Sequence, residues 1–266
     1  EITIKVYRDC ELPVGQNRAD FDNPLRLAVY ENNALILNEI NVLLGTRDTI
    51  PIIITDPCLV SIPDVCVETG VYTTTLTLAN STAGYTLSYA RCCRSPIIDN
   101  LFLPGDQGIM ITTSIPPSNI ACNSSPVITD FPPVGICANR VFSFDHSAVD
   151  PDGDSLSYAF CDPFQGASNT NPGAIALPPP YSTVNYNPGF SGANPFPANP
   201  ALSIDPVTGI ITGTPTQVGN YVVGVCVTEY RNGLPISTVK RDFTINTASC
   251  DPLIVSAAQD QTSSCD

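Results

Sequence analysis

Short runs of alternating apolar and polar residues dominate the first half of the chain, and proline, glycine, asparagine and aspartate separate them. β-Branched and aromatic residues fill these runs, which is typical of half-buried strands. No amphipathic helix is indicated, since even the nearest candidate, Glu39–Leu44, is rich in β-branched residues. The predicted strands are Ile2–Tyr7, Leu25–Tyr30, Leu35–Leu44, Ile50–Thr55, Tyr72–Leu78, Tyr85–Arg91 and Ile109–Ile115. This spacing predicts an all-β sandwich.

The second half of the chain shows the same strand-like pattern, interrupted by one long segment without it. Strands are predicted at Leu156–Cys161, in a hairpin over 202–215, in the alternating segment 219–229 and at Thr238–Ile245. Residues 163–204 contain no charged residue and are rich in proline, asparagine, glycine, serine and alanine. We interpret them as an insertion with polyproline character, which is either a passive surface flap or a loop that contacts a partner.

These patterns divide the chain into two domains, and 266 residues are enough for each to bury its own core. We expect an N-terminal β-sandwich over 1–118, a proline-rich linker over 119–137 and a second sandwich over 138–248 that carries the insertion. Residues 249–266 are expected to be a tail or the start of another module. No leader precedes Glu1, so either a leader has been removed or the chain is a segment of a longer protein.

The net charge of the chain limits the kinds of partner that it can bind. Twenty-five acidic against eleven basic residues give a formal net charge of −14, which argues against nucleic acid and anionic membrane surfaces. Divalent cations and cationic partners fit better. No apolar run approaches the length of a membrane-spanning helix, so membrane insertion is not expected.

The eleven cysteines come with no CxxC pair and a single histidine, which argues against zinc sites and predicts a disulfide framework. Such a framework forms in an oxidising compartment, so we expect an extracellular protein. Because eleven is odd, at least one cysteine is free or pairs outside this chain. Cys265 is the candidate for an intermolecular bond.

Connectivity cannot be deduced from sequence, but two pairs are proposed. The pairs are Cys161–Cys226, tying two strands of the second sandwich, and Cys58–Cys66, closing the small loop 59–65. The adjacent Cys92 and Cys93 would point to opposite faces of a strand, which predicts a different partner for each. Cys10 is a candidate partner for one of them.

The most concentrated chemistry lies in residues 150–158, DPDGDSLSY. Asp150, Asp152 and Asp154 bring three carboxylates to alternate positions, and a glycine between the last two permits a tight backbone path. Oxygen donors in this arrangement are what a hard cation such as Ca²⁺ requires. An EF-hand loop is excluded, because the glycine is fourth and Cys161 stands twelfth. A solvated acidic turn without metal is the alternative interpretation.

Two sets of motifs carry a family resemblance. The acidic turn, the segment LSIDPVTGIITGTPTQVGNYVV and the closing RDFTI resemble the cadherin-like, immunoglobulin-like modules found as tandem arrays in bacterial surface proteins. That likeness covers most of residues 138–247. The motifs VYRDC, YARCCRSPIIDN and VTEYRNG together resemble a segment of the very large, cysteine-containing surface proteins of gliding Bacteroidota. The resemblance implies export by type IX secretion and a role as an adhesin or extracellular filament.

The resemblance also implies a calcium site. It assigns Asp150, Asp152 and Asp154 as ligands, with Asp145, Glu229 and Asp242 as candidates to complete the set from neighbouring strands. In cadherin-like arrays calcium lies between consecutive modules and stiffens the junction. The full cadherin set of linker motifs is missing here, so the position of the metal relative to the two domains stays open.

Short glycosylation motifs are also present. Thr49 and Ser155 lie in sequences that resemble the Asp-Ser/Thr-apolar acceptor for O-glycosylation of exported Bacteroidota proteins, and Thr49 is the better candidate because Ser155 lies in the proposed metal turn. Asn80 and Asn123 match the N-glycan sequon.

Three functions from different classes remain. The first is a structural or adhesive module of a surface fibre, whose partners are neighbouring modules, copies of itself or a surface glycan. The second is a secreted ligand-binding module, specific for carbohydrate, in which the insertion 163–204 forms the binding surface. The third is a secreted hydrolase. No nucleophile elbow, zinc helix or Walker loop accompanies His146, which is expected to be structural, so we expect no enzyme.

Overall fold

The computed structural model describes residues 1–10, 20–51, 66–120, 122–133 and 135–250. Within these ranges the chain is built from β-strands, with one turn of 3₁₀ helix at Pro104–Asp106. The strands are β1 (Ile2–Asp9), β2 (Leu25–Glu31), β3 (Ala34–Val42), β4 (Leu44–Ile50), β5 (Val67–Thr74), β6 (Tyr85–Arg91), β7 (Ile109–Ile115), β8 (Val127–Ile128), β9 (Gly135–Cys137), β10 (Phe142–Asp145), β11 (Ala148–Val149), β12 (Ser155–Phe160), β13 (Ser203–Ile204), β14 (Ile210–Gly213), β15 (Gly219–Arg231) and β16 (Leu234–Ala248). The prediction of an all-β protein is confirmed. No helix in the described part of the chain is long and apolar enough to cross a membrane.

Strands β1 to β7 form the first sandwich. One antiparallel sheet has the order β1-β5-β4, and the other has the order β3-β2-β6-β7. On β1, Ile4 and Val6 are buried because alternate residues of a strand point to the same face. They pack with Leu25, Leu87 and Tyr72 from other strands. Since full burial of such a side chain contributes about 1.5–3 kcal/mol, this core holds the two sheets together.

The second sandwich contains the strands from β9 onward. Its main sheet has the order β12-β15-β16-β9, and the facing sheet has the order β10-β14-β13. A two-stranded ladder joins β8 to β11 beside them. Phe144, Ile211, Val225 and Ile245 from both sheets meet in the core. This sandwich therefore has a hydrophobic centre of its own.

The strand order in both sandwiches is that of an immunoglobulin domain. Such a domain places strands B, E and D side by side in one sheet and C, F and G in the other. In the first sandwich these positions are taken by β1, β5, β4 and by β2, β6, β7. In the second they are taken by β10, β14, β13 and by β12, β15, β16. The prediction of two immunoglobulin-like sandwiches in tandem, stapled by disulfides, is confirmed.

Strand boundaries differ from the sequence-based expectation at one corner. The segment Leu35–Leu44 was expected to be one strand, but β3 ends at Val42 and β4 begins at Leu44 in the opposite sheet. Leu43, which is 69% exposed, marks the crossing. Most of the predicted strand Ile50–Thr55 lies outside the described residues, and Ile50 itself ends β4.

The segment predicted as a linker contributes strands to the second sandwich. β8 pairs with β11, and β9 runs parallel to the last three residues of β16. The Phe131-Pro132-Pro133 sequence lies between β8 and β9 rather than inside either strand. The two prolines have no backbone N–H, but at this position no strand pairing needs one. The covalent connection between the two sandwiches is therefore shorter than composition suggested.

Two disulfides staple the second sandwich. Cys161, directly after β12, bonds Cys226 of β15, as proposed from sequence, with their Cα atoms 5.9 Å apart. Cys137 at the end of β9 bonds Cys250, with Cα atoms 5.4 Å apart. The second bond closes the sandwich at the two points where the chain enters and leaves it.

The other proposed pairings are wrong. Cys66 bonds Cys10 rather than Cys58, because the β1–β5 ladder continues for one step past Asp9 and Val67 and brings Cys10 opposite Cys66. Cys58 lies outside the described residues.

Cys92 and Cys93 bond each other, so neither pairs with Cys10. β6 ends at Arg91. The two cysteines therefore follow the strand, and the alternation that predicted separate partners does not apply to them.

The uncharged insertion is packed between the two sandwiches instead of forming a free flap. Against the first sandwich, the Tyr30 hydroxyl donates to the Ala176 carbonyl and the hydroxyls of Ser88 and Tyr181 are hydrogen-bonded. On the other side, Phe196 is fully buried in the core of the second sandwich. The insertion therefore fills the junction.

A loop of the first sandwich, residues 92–108 between β6 and β7, completes this junction. Asn100 is fully buried, and its Nδ2 donates to the carbonyls of Pro195 at 2.7 Å and Val222 at 2.8 Å. Its Oδ1 accepts the N–H of Val222 at 3.0 Å. Arg94 of the same loop pairs with Asp242 of β16 at 2.6 Å. One loop thus joins the insertion to both central strands of the second sandwich.

Candidate cation-binding site

The acidic turn, Asp150–Asp154, connects β11 to β12. Its first carboxylate organises it, because Oδ1 of Asp150 accepts the backbone N–H of Asp152 at 2.9 Å and of Asp154 at 3.0 Å. Gly153 has φ +82°, a left-handed value that glycine adopts without steric cost. The turn therefore wraps around one carboxylate and keeps the next two close to it.

The three aspartates converge at their side chains as well. One carboxylate oxygen from each lies within 4.8 Å of the other two. The second oxygen of Asp150, Oδ2, is buried and accepts no hydrogen bond from an N–H group or a hydroxyl of the described residues. An unsatisfied buried acceptor costs about 1–3 kcal/mol. The geometry therefore provides a place for a positive partner beside Asp150.

A fourth carboxyl group, Glu229 of β15, lies beneath the turn and is 0% exposed. It faces the carboxyl group of Asp150. Burial raises the pKa of Glu229, and the adjacent Asp150 carboxylate raises it further, against the lowering effect of the nearby Ser237 hydroxyl and of the hydrogen bonds from Asn123. Two carboxyl groups in such contact require a proton or a cation between them.

Arg231, two residues further along β15, supplies the local positive charge. Its Nε lies 2.8 Å from Oδ1 of Asp154 and its Nη2 lies 2.5 Å from Oδ2, a bidentate pair. Asp152 is 4.0 Å from the same guanidinium. The hydrogen bond from Arg231 holds the pKa of Asp154 below its usual range. The guanidinium therefore neutralises the outer part of the turn, and no cation of the described residues forms an ion pair with Asp150 or Glu229.

The segment that arrives from the first sandwich is tied to this cluster. Asn123 donates from Nδ2 to both oxygens of Glu229, at 3.1 and 3.3 Å, and accepts from Arg231 at 2.9 Å. The backbone N–H of Ser124 donates to Asp152, and Arg231 donates to the Cys122 carbonyl. The acidic cluster thus lies where the interdomain segment meets the second sandwich.

The donor set fits a hard divalent cation. It consists of carboxylate oxygens from Asp150, Asp152 and Asp154, while Glu229 lies next to Asp150 outside this group of three and Asn123 links Glu229 to Arg231. Calcium prefers six to eight oxygen ligands and accepts irregular geometry, so these groups match its chemistry. A single guanidinium does not balance four carboxyl groups, which leaves a charge that a divalent ion would offset.

Two of the predicted completing ligands are not part of the cluster. Asp242 is engaged by Arg94 from the first sandwich, at 2.6 Å. Asp145 is exposed, and its Oδ1 accepts the N–H of Ser147 at 2.9 Å, which lowers the pKa of Asp145. Neither joins the three aspartates that the described structure brings within ligand distance. Each carboxylate is held instead by a partner on another segment or in its own turn.

Sequence reasoning missed Asn123 and Arg231. Asn123 was considered only as a glycosylation sequon, but its amide is hydrogen-bonded to Glu229 and Arg231. Arg231 lies two positions after Glu229, so both side chains project to the same side of β15. That alternation is the one signal in the sequence that could have linked Arg231 to the cluster.

The remaining candidate positions are dispersed. Thr49 is exposed on β4, the edge strand of its sheet, and Ser155 is exposed at the start of β12. Cys122 is an exposed free thiol in the described part of the chain. Cys265, the candidate for an intermolecular bond, lies outside the described residues.

His146 is enclosed in the core of the second sandwich, with 0% exposure. Its ring stacks on Phe243, with centroids 5.6 Å apart, and meets Phe144 edge-on at 5.9 Å. Neither ring nitrogen has a hydrogen-bond partner. Burial lowers the pKa of His146 to about 4, and the positive charge of Arg241 acts in the same direction while Asp145 opposes it. The imidazole is therefore neutral at physiological pH.

Comparison with known proteins adds little to this description. No protein-family model and no curated protein matches the sequence. Among solved structures, a tandem pair of titin immunoglobulin domains aligns with 85% of this chain and 82% of its own length, at a TM-score of 0.23 and 6% sequence identity. A similarity this low carries no functional argument, and the fold assignment rests on the strand order.

The buried histidine makes the protein sensitive to acid. Below pH 6.5 the unfolded chain binds a proton that folded His146 does not, so stability falls as the pH decreases from about 6.5 to about 4. Replacing His146 with Phe should remove this contribution, which amounts to about 2–3 kcal/mol at about pH 4.5. Urea unfolding of both proteins at neutral and acidic pH measures it.

Carboxylates with lowered pKa values, such as Asp145 and Asp205, stabilise the folded protein in their ionised form, and this contribution is lost over the lower part of the same pH range. The loss is the same in both proteins. The comparison between variants therefore isolates the imidazole. An equal loss of stability in the wild type and in His146→Phe would contradict the assignment.

Proposed function

We propose that this chain is a non-enzymatic structural or adhesive module of an extracellular surface fibre, stiffened by disulfides and by a bound cation. The observation that carries the proposal is the Cys137–Cys250 disulfide. It joins residues 113 positions apart in sequence, at the two ends of the second sandwich. Tension applied along the chain therefore passes from Cys137 to Cys250 through a covalent bond.

This connectivity protects the second sandwich from mechanical unfolding. A sheet pulled from its two ends must lose its hydrogen bonds before the chain extends, whereas a disulfide across the ends bears the tension first. In the first sandwich, the Cys10–Cys66 bond similarly bypasses the residues between them, with 56 positions of separation. Such covalent shortcuts suit a protein that has to transmit force.

The junction supports the same role. Asn100, Arg94 and the packed insertion connect the two sandwiches through buried polar contacts. A module that transmits force or positions an adhesive surface benefits from a fixed angle between its domains. The uncharged composition of the insertion serves this packing, since burying unpaired charges there would be costly.

Calcium is the cation that we propose for the acidic turn. Asp150, Asp152 and Asp154 would hold it, with Glu229 and Asn123 in support. When bound, it would supply positive charge between carboxylates that repel one another. Because Asn123 and Ser124 contact the same cluster, the cation would fix the incoming interdomain segment as well.

Location and partners follow from the same proposal. Several disulfides in the described chain are consistent with a secreted or extracellular protein. The motif resemblance supports a surface protein of gliding Bacteroidota exported by type IX secretion, with neighbouring modules or copies of itself as partners. Exposed Thr49 on an edge strand suits O-glycosylation, since a glycan there would also block edge-to-edge pairing.

Single-molecule pulling from the two ends of the chain tests the structural role. In the oxidised protein, the residues between Cys137 and Cys250 should release no length. Reduction should add about 400 Å of extension from the 113-position interval, at roughly 3.5 Å for each residue, and about 200 Å from the 56-position interval that Cys10–Cys66 closes. Without reductant, a Cys137→Ser, Cys250→Ser double variant should release only the part of this interval outside the 65-position Cys161–Cys226 loop, about 170 Å. Extension that is unchanged by reduction would refute the covalent bypass.

Thermal unfolding with calcium and with chelator tests the cation. A ligand that binds only the folded state stabilises it, and at one hundred times its dissociation constant the transition should rise by about 5–10 °C. Asp152→Asn should abolish the rise, because it removes one ligand charge. Asp48→Asn, which changes an exposed aspartate on β4, should retain it. An equal rise in both variants, or none in the wild type, would contradict the site.

A further inference from the structure

A second feature of the junction lies on the side of the molecule formed by β1, β4 and β5. A cavity of about 270 Å³ separates the outer face of this sheet from the segment that precedes β9 and from β16. We call it the junction cleft, and define it by Lys5, Tyr7, Thr69, Asp130, Phe131 and Arg241. Its volume is near the lower end for small-molecule sites, about 300 Å³. It therefore has room for one small ring.

Two cations line the junction cleft, and neither forms a direct ion pair among the described residues. Lys5 and Arg241 form no ion pair within 4.0 Å in the described structure, whereas Arg8, Arg26, Arg47, Arg91, Arg94 and Arg231 all do. In a chain with a net charge of −14, unpaired cations are unexpected. Their convergence on one cavity gives it a local positive charge.

Arg241 is the more unusual of the two. Burial lowers the pKa of its guanidinium, and the electrostatic effects of the Tyr7 hydroxyl and the Asp130 carboxylate act in the opposite direction. Nη1 of Arg241 donates to the backbone carbonyl of Asp130 at 2.9 Å, and the guanidinium lies 5.7 Å from the ring centroid of Phe243. A half-buried cation that is held by a carbonyl and a ring, and that forms no ion pair within 4.0 Å, is poorly compensated. An anion bound in the cleft would improve this compensation.

The other walls of the cleft suit a ring that carries hydroxyl groups. The Oγ1 atom of Thr69 is buried and has no hydrogen-bond partner. Tyr7 and Phe131 lie side by side, with ring centroids 5.3 Å apart and planes inclined by 56°. Asp130 adds a carboxylate acceptor beside the two cations. A ligand with one carboxylate, several hydroxyl donors and an apolar ring face would satisfy each of these groups.

We propose that the junction cleft binds a sugar acid, with its carboxylate on Lys5 and Arg241 and its ring against Tyr7 and Phe131. A dianionic phosphate is a poorer match, because the Asp130 carboxylate would repel the second charge. The proposal does not depend on calcium at the acidic turn. The proposed ligand therefore binds in the junction cleft and not on the insertion. Polar groups of the insertion are instead hydrogen-bonded to the first sandwich.

Titration of the full ¹⁵N-labelled chain with glucuronate, glucose and acetate tests the proposal. Glucuronate should shift the amide signals of residues 5–7, 69–71, 128–131 and 241, with a dissociation constant on the order of 1 mM, as expected for a small ligand with few contacts. Glucose lacks the carboxylate and acetate lacks the ring, so each should bind at least about tenfold more weakly. Comparison of the three dissociation constants therefore measures the contributions of the carboxylate and of the sugar ring separately.

Two substitutions link binding to the cations. Lys5→Gln changes an exposed side chain that has no ion pair, and it should weaken glucuronate binding by about tenfold. Lys240→Gln makes the same change outside the cleft, where the ammonium donates to the Asp162 carbonyl, and should leave binding unchanged. Arg241→Gln should weaken glucuronate binding more than Lys5→Gln does. If Arg241→Gln does not fold, the measurement on Lys5→Gln alone tests the proposal.

Several outcomes would overturn the proposal. Absence of shifts with glucuronate, equal shifts with glucose, or unchanged affinity in Lys5→Gln would each exclude recognition of the carboxylate in the cleft. Acetate binding as strong as glucuronate would show a bare anion site without a role for the aromatic rings.

Discussion

Two segments that are mostly irregular, residues 92–108 and 163–204, lie between the sandwiches, and the backbone polar groups that they bury there have to be satisfied. Leaving one such group without a partner costs about 1–3 kcal/mol. Asn100 meets this requirement for β15 and the insertion together, since its amide group makes three hydrogen bonds to Pro195 and Val222. Gln107 does the same for Asn185, donating to its carbonyl at 3.1 Å and accepting its N–H at 2.7 Å. The relative position of the two sandwiches depends on these contacts.

The acidic turn acts on the same junction from the other side. Its carboxylates hold the arriving segment through Asn123 and Ser124, while Arg231 connects that segment to β15. Like charges at such close range are tolerated only with compensation, and the guanidinium compensates only in part. The proposal of a cation therefore follows from an imbalance of charge, and its structural effect would be to tighten a connection that hydrogen bonds already make. The junction cleft has the opposite imbalance, since it brings two cations, Lys5 and Arg241, and one carboxylate, Asp130, to the same cavity.

Local patterns predicted much of the fold, because strand periodicity and turn residues are properties of neighbouring positions. The alternation in Ile2–Tyr7 corresponds to β1, and the spacing of Asp150, Asp152 and Asp154 does bring their carboxylates together. Pairing between residues that are far apart in the sequence was harder to predict from the sequence. Cys10 meets Cys66 only because β1 and β5 are neighbours in a sheet, which no local signal reveals.

The same limit explains the errors at the candidate site and at the junction. Asn123 reaches Glu229 across 106 positions of sequence, so its role depends on the path of the interdomain segment. The proline content of the segment before β9 indicated a linker, although the strands on either side of the prolines pair with β11 and β16. The insertion looked like a free loop because its composition lacks charge and periodicity. That composition is equally suitable for a segment that is packed against two surfaces.

The central claim is that the two sandwiches form one rigid unit, and ¹⁵N relaxation of the intact chain tests it most directly. Amides in β2 and β6 and amides in β15 and β16 should fit a single rotational diffusion tensor, with a correlation time appropriate to the whole chain. Asn100→Ala, which removes the buried contacts to Pro195 and Val222, should shift the two sandwiches toward separate tensors. Independent tensors in the unaltered protein, with correlation times appropriate to single domains, would contradict the claim.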